Sequence, residues 1–184
     1  DFVGETQFGA IPQIASLRTE STNSYMKLAQ KALRDLEVFN SSLDRTNAPT
    51  LYRTLNHTKT AMGARTLRSW LIRPLMDVES VRRRQDVVAE FFDDQAARTR
   101  VQASMSKLPD LERLTNRVRT NTATPRDLAS LRDGLSVIPD LLDALPQGVI
   151  PGGAVIGRLH SSGEAVDLLN AAIAEDPSIS VGEG

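Results

Sequence analysis

Thr60-Ala61-Met62-Gly63-Ala64-Arg65-Thr66-Leu67-Arg68-Ser69-Trp70-Leu71-Ile72-Arg73-Pro74 decides the fold class. Thr60 can cap a helix beginning at Ala61, and Arg73-Pro74 ends it, because the proline ring disfavours helix in the residue before it. Gly63, Leu67, Trp70 and Leu71 share one face at helical spacing, so the helix is amphipathic and needs a partner. A glycine inside a helix costs about 1 kcal/mol relative to alanine; close helix–helix packing at Gly63 would account for it. Trp70 and Leu71 are expected to anchor the core.

Downstream the helical pattern continues almost without interruption. Asp77 can cap a helix whose stripe is Val81, Gln85, Val88 and Phe92, with Gln85 as a polar interruption. Ala97, Val101, Met105 and Leu108 continue the spacing, and Leu111, Leu114 and Val118 follow on Asp110–Arg119. Thr124-Pro125-Arg126-Asp127 is a strong start signal: a Thr cap, Pro at the first helical position, and an acid three residues after the cap. Leu128, Leu131, Leu135 and Ile138 form its stripe, Pro139 and Pro146 punctuate, and Ser161–Ala174 reads as a last helix. Upstream, Gln30–Phe39 has helical spacing, while Leu17-Arg18-Thr19 and Tyr25-Met26-Lys27-Leu28 suit short strands. The expected fold is mostly α: an antiparallel multi-helix bundle with a short N-terminal extended or small β segment.

The composition narrows the chemistry. The 184 residues include no Cys and only two His, His57 and His160, which leaves no disulfide framework, no thiol nucleophile and no multi-histidine metal cage. No run reaches eighteen apolar residues, so no transmembrane helix is expected. Asp1-Phe2-Val3-Gly4-Glu5 lacks the basic start and apolar core of a signal peptide, which points to the cytoplasm. The net charge of −1 hides an asymmetry: residues 53–119 carry 14 basic and 8 acidic groups, while residues 120–184 carry 3 basic and 9 acidic. Of the 22 basic residues 18 are Arg, the side chain best suited to phosphate and carboxylate. Two readings follow: opposed surfaces within one protein, or a nucleic-acid footprint in which Arg68, Arg82 and Arg83 are the candidate contacts. On the first reading, Arg65, Arg84 and Arg113 are candidates for ion pairs with acids on neighbouring helices.

Several catalytic-looking patterns fail on their partners. Gly152-Gly153-Ala154-Val155-Ile156-Gly157-Arg158-Leu159 has the glycine frame of a phosphate loop but not its Lys and hydroxyl residue. Ser24–Lys27 and Ser104–Lys107 match Ser-x-x-Lys without companion motifs. His57 has no visible nucleophile–acid set beside it.

The stretch from Leu55 to Leu75 closely resembles the start of the helical core in MutS-type DNA mismatch-repair proteins. The resemblance continues at Val81, Arg84, Asp86 and Val88, at Asp110-Leu111-Glu112-Arg113-Leu114 and at Thr124-Pro125-Arg126-Asp127-Leu128; upstream it includes Met26-Lys27-Leu28 and Asp35-Leu36-Glu37-Val38-Phe39. Ala29, Ala32, Asp35 and Asn56 or His57 depart from the residues usual in that family. The resemblance implies that residues 1–12 are the end of a connector-like helix and its linker, and that 13–184 are the first half of the core, a partial domain without lever, clamp or ATPase. It implies a structural role coupling ATPase to DNA clamp, with Gly63, Arg65, Trp70, Leu71, Pro74, Arg84, Arg113, Thr124, Pro125 and Asp127 as scaffold residues. Catalysis, metal and cofactor are not expected in the segment. ATP and magnesium, DNA, a dimer partner and the remaining domains of the same chain belong to the full-length family. The alternative is a duplex-DNA-binding helical module using the basic 53–119 segment.

Overall fold

Six successive helices begin on a side-chain cap that accepts a backbone N–H three residues on. The caps are Thr50, Thr60, Asp77, Asp94, Asp110 and Thr124, and they open α2 (Leu51–Leu55), α3 (Ala61–Ile72), α4 (Val78–Asp93), α5 (Gln95–Met105), α6 (Leu111–Arg119) and α7 (Pro125–Ser136). Each cap satisfies a donor that the helix itself leaves unpaired. The computed structural model describes residues 24–42, 48–146, 162–175 and 177. The connector-like 1–12 segment, the Leu17–Thr19 strand, the Gly152–Leu159 loop and His160 lie outside the described residues.

The remaining helices are α1 (Gln30–Asp35), α8 (Ile138–Ala144) and α9 (Gly163–Ala172). The chain is mostly helical. Among the described residues the β segment shrinks to one antiparallel bridge, Tyr25 with Leu75. There the Met26 N–H donates to the Pro74 carbonyl at 2.8 Å and the Met76 N–H to the Ser24 carbonyl at 3.1 Å. Helix α1 stops four residues before the expected Phe39. Glu37 adopts a left-handed φ of 49°, its N–H donates to the Arg34 carbonyl, and the Val38 N–H donates to the Leu33 carbonyl. This pair of bonds is a Schellman ending, and Leu33 and Val38, the two residues it brings together, are both buried. Asn121 ends α6 in the same way, with φ 54° and with Thr122 donating to the Arg117 carbonyl.

Packing is pairwise: α4 on α5, α5 on α8, α6 on α7, α7 on both α8 and α9, and α2 on α3. Val101, Leu141 and Ala144 form a buried cluster wrapped by Phe91, Met105 and Leu108. Ala97 on α5 is 0% exposed. Helix α4 departs from its expected stripe. Val88 and Phe92 are exposed, and the half-buried line is Val81, Arg84, Val87 and Phe91. The apolar arc of α4 is wider than one neighbour can cover, and Phe91 rather than Phe92 reaches the α5–α8 cluster.

Gly63 also departs from expectation. A Cβ there would meet Thr60 Oγ1 at 3.1 Å and Thr58 Cβ at 3.3 Å, so its crowding comes from its own helix start and not from a neighbouring helix. The close approach is at Gly134 on α7. A Cβ there would fall 2.7 Å from Leu111 Cδ2 and 2.8 Å from ring carbons of Pro109, at the start of α6.

Candidate functional site

The feature that ties the first helices to the later ones is a clasp of charge. Arg65 projects from the middle of α3, and its guanidinium donates to both Asp110 oxygens at 2.7 and 2.8 Å and to Glu112 Oε2 at 2.6 Å. Asp110 is held in place because it also caps α6, accepting the Arg113 N–H at 3.2 Å. One carboxylate therefore fixes both the start of α6 and its distance from α3. The two-pronged geometry suits Arg and not Lys. The Arg65 guanidinium beside it holds the Asp110 carboxyl down at about 2, and Asp110 in turn raises Arg65. A cleft of about 670 Å³ opens beside the clasp, lined by Arg65, Asp110, Glu112, Arg113, Asn116 and Arg119.

A second ion pair extends the line. Arg117 of α6 donates to Asp127 Oδ1 at 2.5 Å, while the other oxygen of Asp127 accepts the Thr124 N–H at 2.9 Å and faces the Thr124 hydroxyl. The Asp127 N–H returns a bond to Thr124 Oγ1, which closes the capping box behind Pro125. The Thr124 N–H, helped by Arg117, holds the Asp127 carboxyl below its usual range. From α7, Arg132 pairs with Asp133 at 2.9 Å and reaches the Ala174 carbonyl just after α9.

Aromatic rings hold two further arginines. Arg84 of α4 lies over the Trp70 ring at 3.7 Å and Arg68 of α3 lies over Phe39 at 4.1 Å. Phe39 packs on Tyr52 at 5.6 Å, and the Tyr52 hydroxyl takes a hydrogen from Asn56 and donates to the Ala64 carbonyl, joining α2 to α3.

The expected site residues thus divide. Arg65 meets acids across helices. Arg84 does not; its partner is the Trp70 face, and no carboxylate pairs with it among the described residues. Trp70 itself is 44% exposed rather than buried as a core anchor, with the Arg84 guanidinium over its ring. Leu71 is half-buried, and Pro74 supplies the carbonyl of the β bridge. Arg113 contributes its backbone to the Asp110 cap, and its side chain stays exposed. The nucleic-acid candidates also have local partners: Arg68 has Phe39, Arg82 has Glu79 at 4.0 Å, and Arg83 has Ser80 at 2.7 Å and Asp77 at 3.9 Å. Sequence reasoning misses Asp110 as a cap, although an Asp directly before a helical stripe is a start signal. It also misses the close approach at Gly134 and the Arg117–Asp127 pair, which have no short-range signature.

Chemically the clasp is one guanidinium shared by two carboxylates. His57 is exposed in the link between α2 and α3, and Ser104 and Lys107 meet only through a backbone bond of 3.1 Å. Among the described residues no three of His, Cys, Asp and Glu gather in a metal-ligand group, and no helix is long and apolar enough to cross a membrane.

Comparison with known proteins agrees with this architecture. The family model described as MutS domain III matches residues 31–184. The DNA mismatch repair protein MutS of Salinibacter ruber is 35% identical over 184 residues, covering 100% of this chain and 20% of the relative. Its namesake in Methanosarcina acetivorans is 34% identical over 192 aligned positions, covering 100% and 21%. That of Dehalococcoides mccartyi (strain CBDB1) is 32% identical over 187, covering 100% and 22%. The chain thus spans about a fifth of the length of the curated relatives it matches. A helical chain cross-tied in this way, matched by the domain III description over most of its length, belongs to the MutS domain III family.

Proposed function

We propose that this chain is the coupling segment of a mismatch-repair protein, a set of packed helices that carries displacement between an ATPase and a DNA clamp elsewhere in the polypeptide. The observation that supports this most is the Arg65–Asp110–Glu112 clasp, which bridges positions 45 and 47 residues apart in sequence. With Arg117–Asp127 and Arg132–Ala174 it forms a line of polar ties from α3 through α6 and α7 to α9. Ties between rigid elements can pass a shift from one helix to the next, provided the set has two discrete arrangements. On this reading the segment performs no reaction step. ATP with magnesium, DNA and a dimer partner are held by the other domains, and the compartment is the cytoplasm.

The test is Arg65→Gln in the full-length protein. Mismatch binding and DNA-free ATP hydrolysis are expected to persist, while the effect of ATP on DNA release falls. A folded variant whose DNA release still answers fully to ATP would overturn the proposal. Salt-sensitive duplex binding by the 184-residue chain, lost on changing Arg68, Arg82 and Arg83 together, would replace it with the direct DNA-binding reading.

A further inference from the structure

Helices α4 and α5 meet at a single residue, Asp94, with φ −101° and ψ 85°. Nothing in the local sequence forces a break there. Phe91-Phe92-Asp93-Asp94-Gln95-Ala96-Ala97-Arg98 contains neither Gly nor Pro, the residues that disfavour a helix interior most. A continuous helix through the corner pairs each N–H from Asp94 to Arg98 with the carbonyl four residues before it. The first and last of these bonds are made: the Asp94 N–H donates to the Glu90 carbonyl at 3.1 Å and the Arg98 N–H to the Asp94 carbonyl at 3.0 Å. Those from Gln95, Ala96 and Ala97 would run to Phe91, Phe92 and Asp93. Side chains stand in for them. The Arg98 guanidinium donates to the Phe91 carbonyl at 2.5 Å and to the Phe92 carbonyl at 3.1 Å. The Asp94 carboxylate accepts the Ala97 N–H at 2.8 Å. We propose that this corner is a two-state hinge, bent as in this structure or straightened into one helix from Val78 to Met105, with these bonds exchanged between side chain and backbone.

The straight form is satisfied as well. Asp94 and Arg98, released from the backbone, then lie four residues apart on one helix face with the acid first, the favourable order for an ion pair. The bent form is held by two further contacts of α4, Phe91 against the α5–α8 cluster and Arg84 over Trp70. Among the described residues no side chain of α4 is fully buried, whereas α5 buries Ala97 and Val101. Helix α5 is therefore the fixed arm and α4 the moving one. The far end of α4 lies about 24 Å from the corner along its axis, so a change of angle becomes a displacement of that end. The hinge deepens the coupling reading, on which ATP as its trigger rests, by supplying two discrete arrangements.

The test is the distance between spin labels at Arg82→Cys and Gln102→Cys, both exposed positions, in the full-length protein with any other cysteine replaced. A straight helix sets these positions about 30 Å apart, and any bend shortens the span. Without nucleotide the short distance is expected to dominate. Asp94→Ala with Arg98→Ala removes the side-chain bonds that hold the bend and is expected to raise the long population roughly five-fold or more; Arg98→Ala alone raises it by less. Gln95→Pro does the reverse. Proline suits the first position of α5 and lacks the N–H that the straight helix needs there, so the long population is expected to vanish while the melting temperature holds. If neither alanine variant lengthens the distance, or if a long population survives Gln95→Pro, the hinge is overturned. Lengthening of the parent by ATP with a mismatched duplex belongs to the coupling reading. Its absence, with the alanine variants still lengthened, sinks that reading and leaves the hinge standing.

Discussion

Gly63 on α3 and Gly134 on α7 are both helical glycines, and their surroundings differ in kind. Around Gly63 the nearest atoms belong to Thr58 and Thr60, residues three to five positions away in sequence. Around Gly134 they belong to Pro109 and Leu111, more than twenty positions away. The first glycine completes a helix start, where its N–H donates to Thr60 Oγ1 at 2.9 Å. The second lets two helices touch. A missing side chain near a cap is thus a local matter, whereas one in mid-helix can be the condition for an interface.

The severest test of this contrast is Gly134→Val. The branched side chain must displace the Pro109 ring, and a loss of about 3 kcal/mol is expected in denaturant unfolding, at the upper end for overpacking. A loss under about 1 kcal/mol would mean that the Pro109 turn yields, and the two glycines would then be alike. Trp70→Ala comes next. A fully buried aromatic costs about 3–5 kcal/mol on truncation, but this ring is half exposed. About 2 kcal/mol is expected from thermal melting, of which about 0.5–1 kcal/mol is the Arg84 contact. Arg84→Met in the Trp70→Ala background should then cost less than in the parent.

Thr124→Ala removes a local signal and should cost about 1 kcal/mol, measured the same way. A smaller effect is expected for Asp110→Asn, and it lies in the pH dependence. The folded carboxyl titrates at about 2, below an unfolded value of about 3.9. Its contribution is therefore complete above about pH 4 and is lost as pH falls through about 2. Asn at this position should flatten that acid limb by lowering stability above about pH 4, with little change near pH 2. Gly63→Ala is the smallest: the gain in helix propensity of at most about 1 kcal/mol is offset by crowding against Thr60 and Thr58, for a net change within about 0.5 kcal/mol.

The same division separates what was legible in the sequence from what was not. Caps such as Thr60, Asp77 and Thr124 are written within four residues and could be read directly. The mostly helical fold follows from them together with the apolar spacing. The family resemblance was legible because it rests on several ordered motifs. The facing of α4 was not legible: its apolar arc admits two stripes one residue apart, and only the position of the α5–α8 cluster selects Phe91 over Phe92. The end of α1 was missed because Glu37 takes a left-handed conformation that favours Gly or Asn. There its carboxylate is tied down by Ser42, which donates both its hydroxyl and, at 2.8 Å, its N–H. The arginines show the same limit. Their number marks a surface rich in cation partners, but whether a given one meets a carboxylate, as Arg65 does, or a ring, as Arg84 does, depends on which helix lies opposite.

Asp94 is at once the last cap of α4 and the first cap of α5, and Arg98 braces the corner through the Phe91 carbonyl at 2.5 Å and the Phe92 carbonyl at 3.1 Å. No spare residue separates the two helices, so the rotational phase of one is set by the other. A single residue inserted at this corner would turn α5 by about 100° relative to α4, carrying Ala97 and Val101 away from α8. Lineages of this domain should therefore vary in length elsewhere and keep the corner free of insertions and deletions, whatever substitutions accumulate around it.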